Sequence, residues 1–139
     1  MRRFVLDASV AMAWFIDYPL SPEAAKVEGI LADGGRAIVP ALWHLEMANS
    51  LGVAERRHII NEAALDKCLA RLNDLLTNAI ETDSSLFSVR ATLATARNFS
   101  LSAYDAVYLE TARTHRLPLA SLDRQLRAAA IKAGIELTG

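Results

Sequence analysis

Four acidic residues interrupt stretches of the sequence that are otherwise mostly apolar, and these side chains are the ones most able to do chemistry. They are Asp7 in FVLDASVAMAWFI, Glu46 in ALWHLEMANSLGV, Asp105 in SAYDAVYLETA and Asp123 after PLASL. Taken singly, Asp7 and Asp123 could each cap a helix. Glu46 could be a partly exposed helix charge, and Asp105 could complement the dipole at the start of a helix.

Taken together, the four acids predict a site for a divalent cation. Their spacings of 39, 59 and 18 residues place them on separate elements, so only the fold can bring them together. Carboxylates gathered in this way repel one another, and no four matching cations lie near them in the sequence. Mg²⁺ and Mn²⁺ take oxygen ligands and activate water. The pattern therefore points to hydrolysis of a phosphodiester bond by a metal-activated water.

Short apolar runs alternate with helical periods along the chain, and this alternation predicts the elements that must position the acids. We predict strands over 4–6, 37–39, 79–81, 118–121 and 135–138. We predict helices over 21–34, 41–57, 61–76 and 84–98, and two more that begin at Ser102 and Asp123. The alternation is typical of an α/β fold with a mostly parallel sheet flanked by helices. Ligands of such sheets bind beyond the carboxyl ends of the strands.

Composition excludes several classes of protein. The chain has 139 residues, of which 53% are apolar and 22% charged, and this excludes an intrinsically disordered chain. A net charge of −1 means that any contact with nucleic acid needs a local site rather than a bulk basic field. Cys68 is the single cysteine, so no internal disulfide forms. Because Asp7 interrupts the N-terminal apolar stretch, and no uncharged stretch is long enough to cross a bilayer, we expect a cytoplasmic protein.

Four short motifs resemble those of the PIN domain family, and within it the VapC-type toxin ribonucleases of bacterial toxin–antitoxin pairs. The motifs are VLDAS near the N-terminus, LEMAN in the middle, SAYDAVYLETA, and LASLD near the C-terminus. They occur in the family's order, and the resemblance extends from Phe4 to about Thr138, which predicts a single PIN-like domain over residues 1–139.

The resemblance implies roles for particular residues. The catalytic and metal-binding acids would be Asp7, Glu46, Asp105 and Asp123. Ser9, Asn49 and Ser121 would be supporting polar residues, and Ser121 stands where the family more often has threonine. Arginines in or near the motifs are candidates for RNA contacts, with ordinary surface charge as the alternative for each: Arg97, Arg113, Arg116 and Arg124.

The activity that the resemblance implies is that of an endoribonuclease that uses one or two Mg²⁺ or Mn²⁺ ions. Such a protein would act as the toxin of a toxin–antitoxin pair and be neutralised by a small cognate antitoxin. It would form a homodimer or a hetero-oligomer with that antitoxin, and it would have no membrane partner. An apolar stretch over 42–53 is a candidate surface for either protein partner.

Other functions are less well supported by the residues. The alternative is a catalytically silent PIN-like module that binds RNA or protein, although such a module has no need of four costly acids. His44 and Glu46 match half of a zinc deaminase signature, but the other half needs two cysteines. An aspartyl-phosphate enzyme with Asp7 as nucleophile would want a second aspartate where Ser9 stands. Glycine-rich nucleotide loops and a nucleophile elbow are absent from the sequence.

Overall fold

A computed structural model describes residues 2–17 and 19–138, and these residues form seven helices and four strands. In chain order, the elements are β1 (Arg3–Leu6), α1 (Ala8–Ile16), α2 (Pro22–Ala32), β2 (Arg36–Pro40), α3 (Ala41–Arg56), α4 (Glu62–Asn78), β3 (Ile80–Asp83), α5 (Val89–Phe99), α6 (Ala103–His115), β4 (Leu119–Ala120) and α7 (Arg124–Lys132). No helix in these two ranges has the length and apolar character needed to cross a membrane.

The four strands form one parallel sheet in the order β3-β2-β1-β4, which confirms the predicted fold class. Val5 in β1 is aligned with Ile38 of β2 on one side and with Leu119 of β4 on the other. Because the strands are parallel, all of their carboxyl ends lie at one edge of the sheet. Asp7 comes directly after β1 at that edge, and Ser121 comes directly after β4.

The core lies on both faces of the sheet, as expected for parallel strands covered by helices. Phe4 and Leu6 are buried on β1, and they pack in one apolar cluster with Trp43 of α3, Tyr108 of α6 and Leu126 of α7. The cluster fixes the helices against the sheet. It thereby sets where the polar residues at the carboxyl edge must lie.

Side-chain caps explain where five of the helices begin. In each case the residue before the helix accepts a hydrogen bond from the backbone N–H three residues further on, which satisfies a donor that the helix cannot. The capping residues are Ser21, Asn61, Ser88, Ser102 and Asp123. The predicted starts at Ser21, Ser102 and Asp123 are confirmed.

Two predicted elements differ from the structure. The helix expected over 84–98 begins at Val89 instead, because Ser88 rather than Ser84 accepts the capping bond, from Ala91 N–H. Ser85 N–H donates a hydrogen bond to Asp83 Oδ1, and the segment between β3 and α5 is a loop. The strand expected over 135–138 is reduced to a single parallel bridge between Leu137 and Leu119.

The glycine pair between α2 and β2 supplies a test of this packing. A Cβ atom on Gly35 would lie 2.6 Å from Ile30 Cγ2 and 2.7 Å from the Ile30 backbone oxygen. A Cβ atom on Gly29, inside α2, would meet nothing within 4 Å. We therefore expect Gly35→Ala to lower the free energy of unfolding by about 1–3 kcal/mol.

Gly29→Ala is the matched control, and we expect it to raise the free energy of unfolding by about 0.5–1 kcal/mol through helix propensity. Both values come from denaturant unfolding followed by circular dichroism. Equal effects of the two substitutions would contradict the close approach of Gly35 to Ile30.

Candidate active site

A cavity of about 520 Å³ opens at the carboxyl edge of the sheet, and all four predicted acids line it. Asp7 follows β1, Glu46 lies in α3, Asp105 lies in the first turn of α6, and Asp123 caps α7. Ser9 and Asn49 also line the cavity. The fold thus brings together four carboxylates that the sequence places on four separate elements.

Asp7 is buried and is held by two serine hydroxyls. Ser9 Oγ and Ser121 Oγ each donate a hydrogen bond of 2.7 Å to the same atom, Asp7 Oδ2. Each hydroxyl also accepts a backbone N–H, from Leu122 at 2.9 Å for Ser9 and from Asp123 at 3.0 Å for Ser121. The two backbone donors therefore turn both hydroxyl protons toward Asp7.

The side chain of Asp7 bonds to these hydroxyls and does not cap α1, which was the alternative explanation for an acid at this position. Asp7 stands at the N-cap position of α1, but its side chain makes no capping hydrogen bond there. Asp123 does cap its helix, because Asp123 Oδ1 accepts the N–H of Leu126 at 3.0 Å. The ordinary explanation from sequence therefore applies to Asp123 and is wrong for Asp7.

Burial raises the pKa of Asp7 above its ordinary value, and the negative charge of Asp123 raises it further. The hydrogen bonds from Ser121 and Ser9 lower the pKa of Asp7, but they do not offset the burial. Burial likewise raises the pKa of Asp105, with further contributions from Asp123 and Asp7. The environment of the cavity therefore disfavours the ionised forms of the carboxylates that line it.

Glu46 reaches the cavity from α3 and is held by a residue of α6. The phenol of Tyr108 donates a hydrogen bond of 2.5 Å to Glu46 Oε1. Burial raises the pKa of Glu46, the bond from Tyr108 lowers it, and the charges of Asp7 and Asp105 raise it again, so that the net shift is upward. Tyr108 is a site residue that the sequence did not predict, because its only signal is its place one helical turn after Asp105.

The rest of the cavity lining is neutral. Among the described residues, the lining includes no Lys, Arg or His that could balance the carboxylates. The remaining part of the lining is mostly apolar and comes from α1, α3 and the turn after α3. It is formed by Met12, Ile16, Val53, Ala54 and Ile59.

The donor chemistry of the cavity fits a hard divalent cation such as Mg²⁺ or Mn²⁺, which takes carboxylate and hydroxyl oxygens. Three of the four carboxylates have raised pKa values because they are desolvated close to one another, and a cation would relieve that cost. Within residues 2–17 and 19–138, no three Asp, Glu, His or Cys side chains close around a single point. The four carboxylates line one cavity but do not yet surround one point. Their side chains would have to move closer together to coordinate one ion.

Of the four arginine candidates, only Arg124 is adjacent in sequence to one of the four acids. Of the described residues that line the cavity, none is an arginine. Arg124 is exposed and directly follows Asp123. Arg113 pairs with Glu110 at 3.2 Å on α6, and Arg97 lines a separate surface cavity on α5. Arg116 follows Asp105 by eleven residues, which is about 16 Å along a helix axis.

An acidic cavity at the carboxyl edge of a helix-covered parallel sheet places the chain among α/β proteins with a polar ligand site at the strand ends. A family model described as the PIN domain matches residues 4–132. The chain therefore belongs to the PIN domain family, as the sequence motifs indicated.

Three solved structures with the same fold are each less than a fifth identical in sequence to this chain. The crystal structure of PAE2754 from Pyrobaculum aerophilum has 19% identity and a TM-score of 0.69, over 92% of this chain and 84% of that one. FitAcB from Neisseria gonorrhoeae has 17% identity and a TM-score of 0.66, over 98% and 96%. A toxin–antitoxin complex from Klebsiella pneumoniae has 18% identity and a TM-score of 0.55, over 86% of each. No curated protein sequence matches the chain.

The raised pKa of Asp7 predicts how stability depends on pH without metal. Because its folded-state pKa lies above the ordinary value, the stability contribution of Asp7 is present at low pH. It is lost as pH rises from about 4 through the raised pKa. We therefore expect Asp7→Asn to have a higher unfolding midpoint than the parent at pH 7 in EDTA, and we expect the difference to vanish near pH 3.

Thermal unfolding followed by circular dichroism between pH 3 and pH 8 measures this difference. Asp66→Asn, at an exposed position in α4, is the control for the change in net charge. A constant difference between Asp7→Asn and the parent at every pH would contradict the assignment of the effect to the charge of Asp7.

Proposed function

We propose that this protein is a metal-dependent endoribonuclease that acts as the toxin of a toxin–antitoxin pair. The observation that carries the proposal is the convergence of four carboxylates from four elements on one cavity whose described lining holds no positive charge. Membership of the PIN domain family supports a nuclease activity. The same arrangement would serve a silent binding module poorly, because unneutralised carboxylates repel RNA phosphates.

The residues proposed to hold Mg²⁺ or Mn²⁺ are Asp7, Glu46, Asp105 and Asp123. When bound, such an ion neutralises the carboxylates, stabilises charge on phosphate oxygens and lowers the pKa of a water that attacks the phosphodiester. One ion or two would fit this role, and the reaction forms no covalent enzyme intermediate.

The chain's own residues prepare this site. Ser9 and Ser121 hold Asp7 in one orientation by donating to Oδ2, so that neither hydrogen bond uses Oδ1. The cap from Asp123 to Leu126 fixes the start of α7 beside the cavity. Apolar side chains also line the cavity and lower its effective dielectric constant, which strengthens electrostatic interactions within it.

RNA needs positive charge near the cavity mouth, since the cavity itself is acidic. Arg124 is the candidate that follows directly on a carboxylate, and we propose that it contacts the RNA backbone. Arg113 is less suited to this role, because it is already paired with Glu110 and lies over the ring of Phe99. Arg97 and Arg116 would contact RNA only outside the cavity.

Two observations support the proposed protein partners: exposed apolar residues and the similarity to one solved complex. The similar structure from Klebsiella pneumoniae is a toxin–antitoxin complex, which supports a small antitoxin as partner here. In the predicted partner stretch 42–53, Trp43, Met47 and Leu51 are buried, whereas Leu45 is 71% exposed. Leu86 and Val89 are also exposed apolar residues and are available for a second copy of the chain.

The central experiment is cleavage of total RNA by the purified protein. We expect discrete new 5′ ends, mapped by sequencing, in the presence of Mg²⁺ or Mn²⁺. We expect none in EDTA, because the carboxylates then remain unneutralised. Asp7→Asn is expected to lower the cleavage rate at least 100-fold, since metal-site residues of this kind supply several kcal/mol of charge stabilisation.

Asp66→Asn is again the matched control and is expected to cleave as the parent does. Cleavage that persists in EDTA, or that survives in Asp7→Asn, would contradict the proposal. Metal binding without cleavage of any RNA would favour the silent binding module instead.

The antitoxin partner is tested by co-expression with the product of the adjacent gene. We expect the two proteins to purify together, and we expect Leu45→Asp to reduce the amount captured at least fivefold by placing a charge in an apolar contact. Ile131→Asp is the matched control, because Ile131 is 66% exposed but lies on α7. Equal loss in both variants, or no co-purification with the parent, would contradict this partner surface.

A further inference from the structure

Tyr108 is a fully buried residue whose phenol oxygen reaches the candidate active site. The side chain packs in the apolar core, yet its hydroxyl donates to Glu46 Oε1 at 2.5 Å. The hydroxyl therefore links the core face of α6 to the acid of α3.

The hydroxyl of Tyr108 is the donor in this contact. An ionised carboxylate has no proton to give, so the O–H of Tyr108 points toward Glu46 Oε1. The contact is therefore a donor–acceptor pair in which the buried phenol supplies the proton and Glu46 accepts it.

Glu46 is oriented by one side-chain contact. Asp7 receives two hydroxyl donors, and Asp123 is tied to the backbone of α7. In the described part of the chain, Tyr108 is the one side chain that hydrogen bonds to Glu46. A half-buried glutamate with three rotatable bonds and a single anchor loses its orientation when that anchor is removed.

We propose that Tyr108 is a positioning residue that fixes Glu46 relative to Asp7 and Asp105. Asp105 lies on the same face of α6, one turn before Tyr108, so one rigid helix carries both an acid and the anchor of another acid. The inference rests on the proposed function, because it assigns Glu46 to the metal site. It goes further in assigning a core aromatic residue a role in metal affinity.

Metal affinity in Tyr108→Phe tests the inference, with Mn²⁺ titrated into the apo protein by isothermal calorimetry. We expect affinity for Mn²⁺ to fall at least tenfold, as is typical when a partner of a metal ligand is removed. Tyr104→Phe is the matched control and is expected to bind as the parent does, because Tyr104 lies on the same helix but is 64% exposed. Unfolding midpoints in EDTA are measured for each variant.

A double-mutant cycle separates positioning from packing. If Tyr108 acts through Glu46, Tyr108→Phe should have no further effect on Mn²⁺ affinity in a Glu46→Gln background. A loss of the same size in both backgrounds would overturn the inference, as would unchanged affinity in Tyr108→Phe or its failure to fold. A parent protein that binds no Mn²⁺ would overturn the proposed function as well, which distinguishes the two failures.

Discussion

Repulsion among four carboxylates around one cavity is the constraint on which the rest of the structure depends. Burial and mutual proximity both disfavour the charged forms of Asp7, Glu46 and Asp105. No attraction among these side chains could assemble them, so the free energy of packing the sheet and helices must do so. A functional site that lowers the stability of the fold, with the core compensating, is common in proteins.

The groups that begin helices also organise the site. Ser102 caps α6 and thereby orients the turn that carries Asp105. Ser121 accepts the N–H of Asp123 while it donates to Asp7, so the loop before α7 and the acid after β1 are fixed by one hydroxyl. At this hydroxyl a local backbone hydrogen bond and a contact between distant parts of the chain therefore share one atom.

The four acids could be singled out as candidate site residues from the sequence, because a charge within an apolar run is conspicuous whatever the fold. The start of α5 could not be predicted, because Ser84 and Ser88 are equally good caps and only the bond from Ser85 to Asp83 decides between them. Tyr108 was missed for a different reason. An aromatic residue at helical spacing indicates a core position, and its acceptor lies 62 residues away in the sequence.

The short C-terminal bridge has a consequence for how the sheet meets other proteins. Leu119 N–H bonds to Glu136 and Leu119 C=O accepts from Thr138, so β4 offers no free backbone row at that position. The open edge strand of the described sheet is β3, which β2 separates from β1. There His115 lowers the pKa of Asp83 to about 2 and keeps it charged, and Glu81 adds a second acid. Charged side chains on an edge strand oppose pairing with the edge of another sheet, so we expect β3 to resist edge-to-edge association.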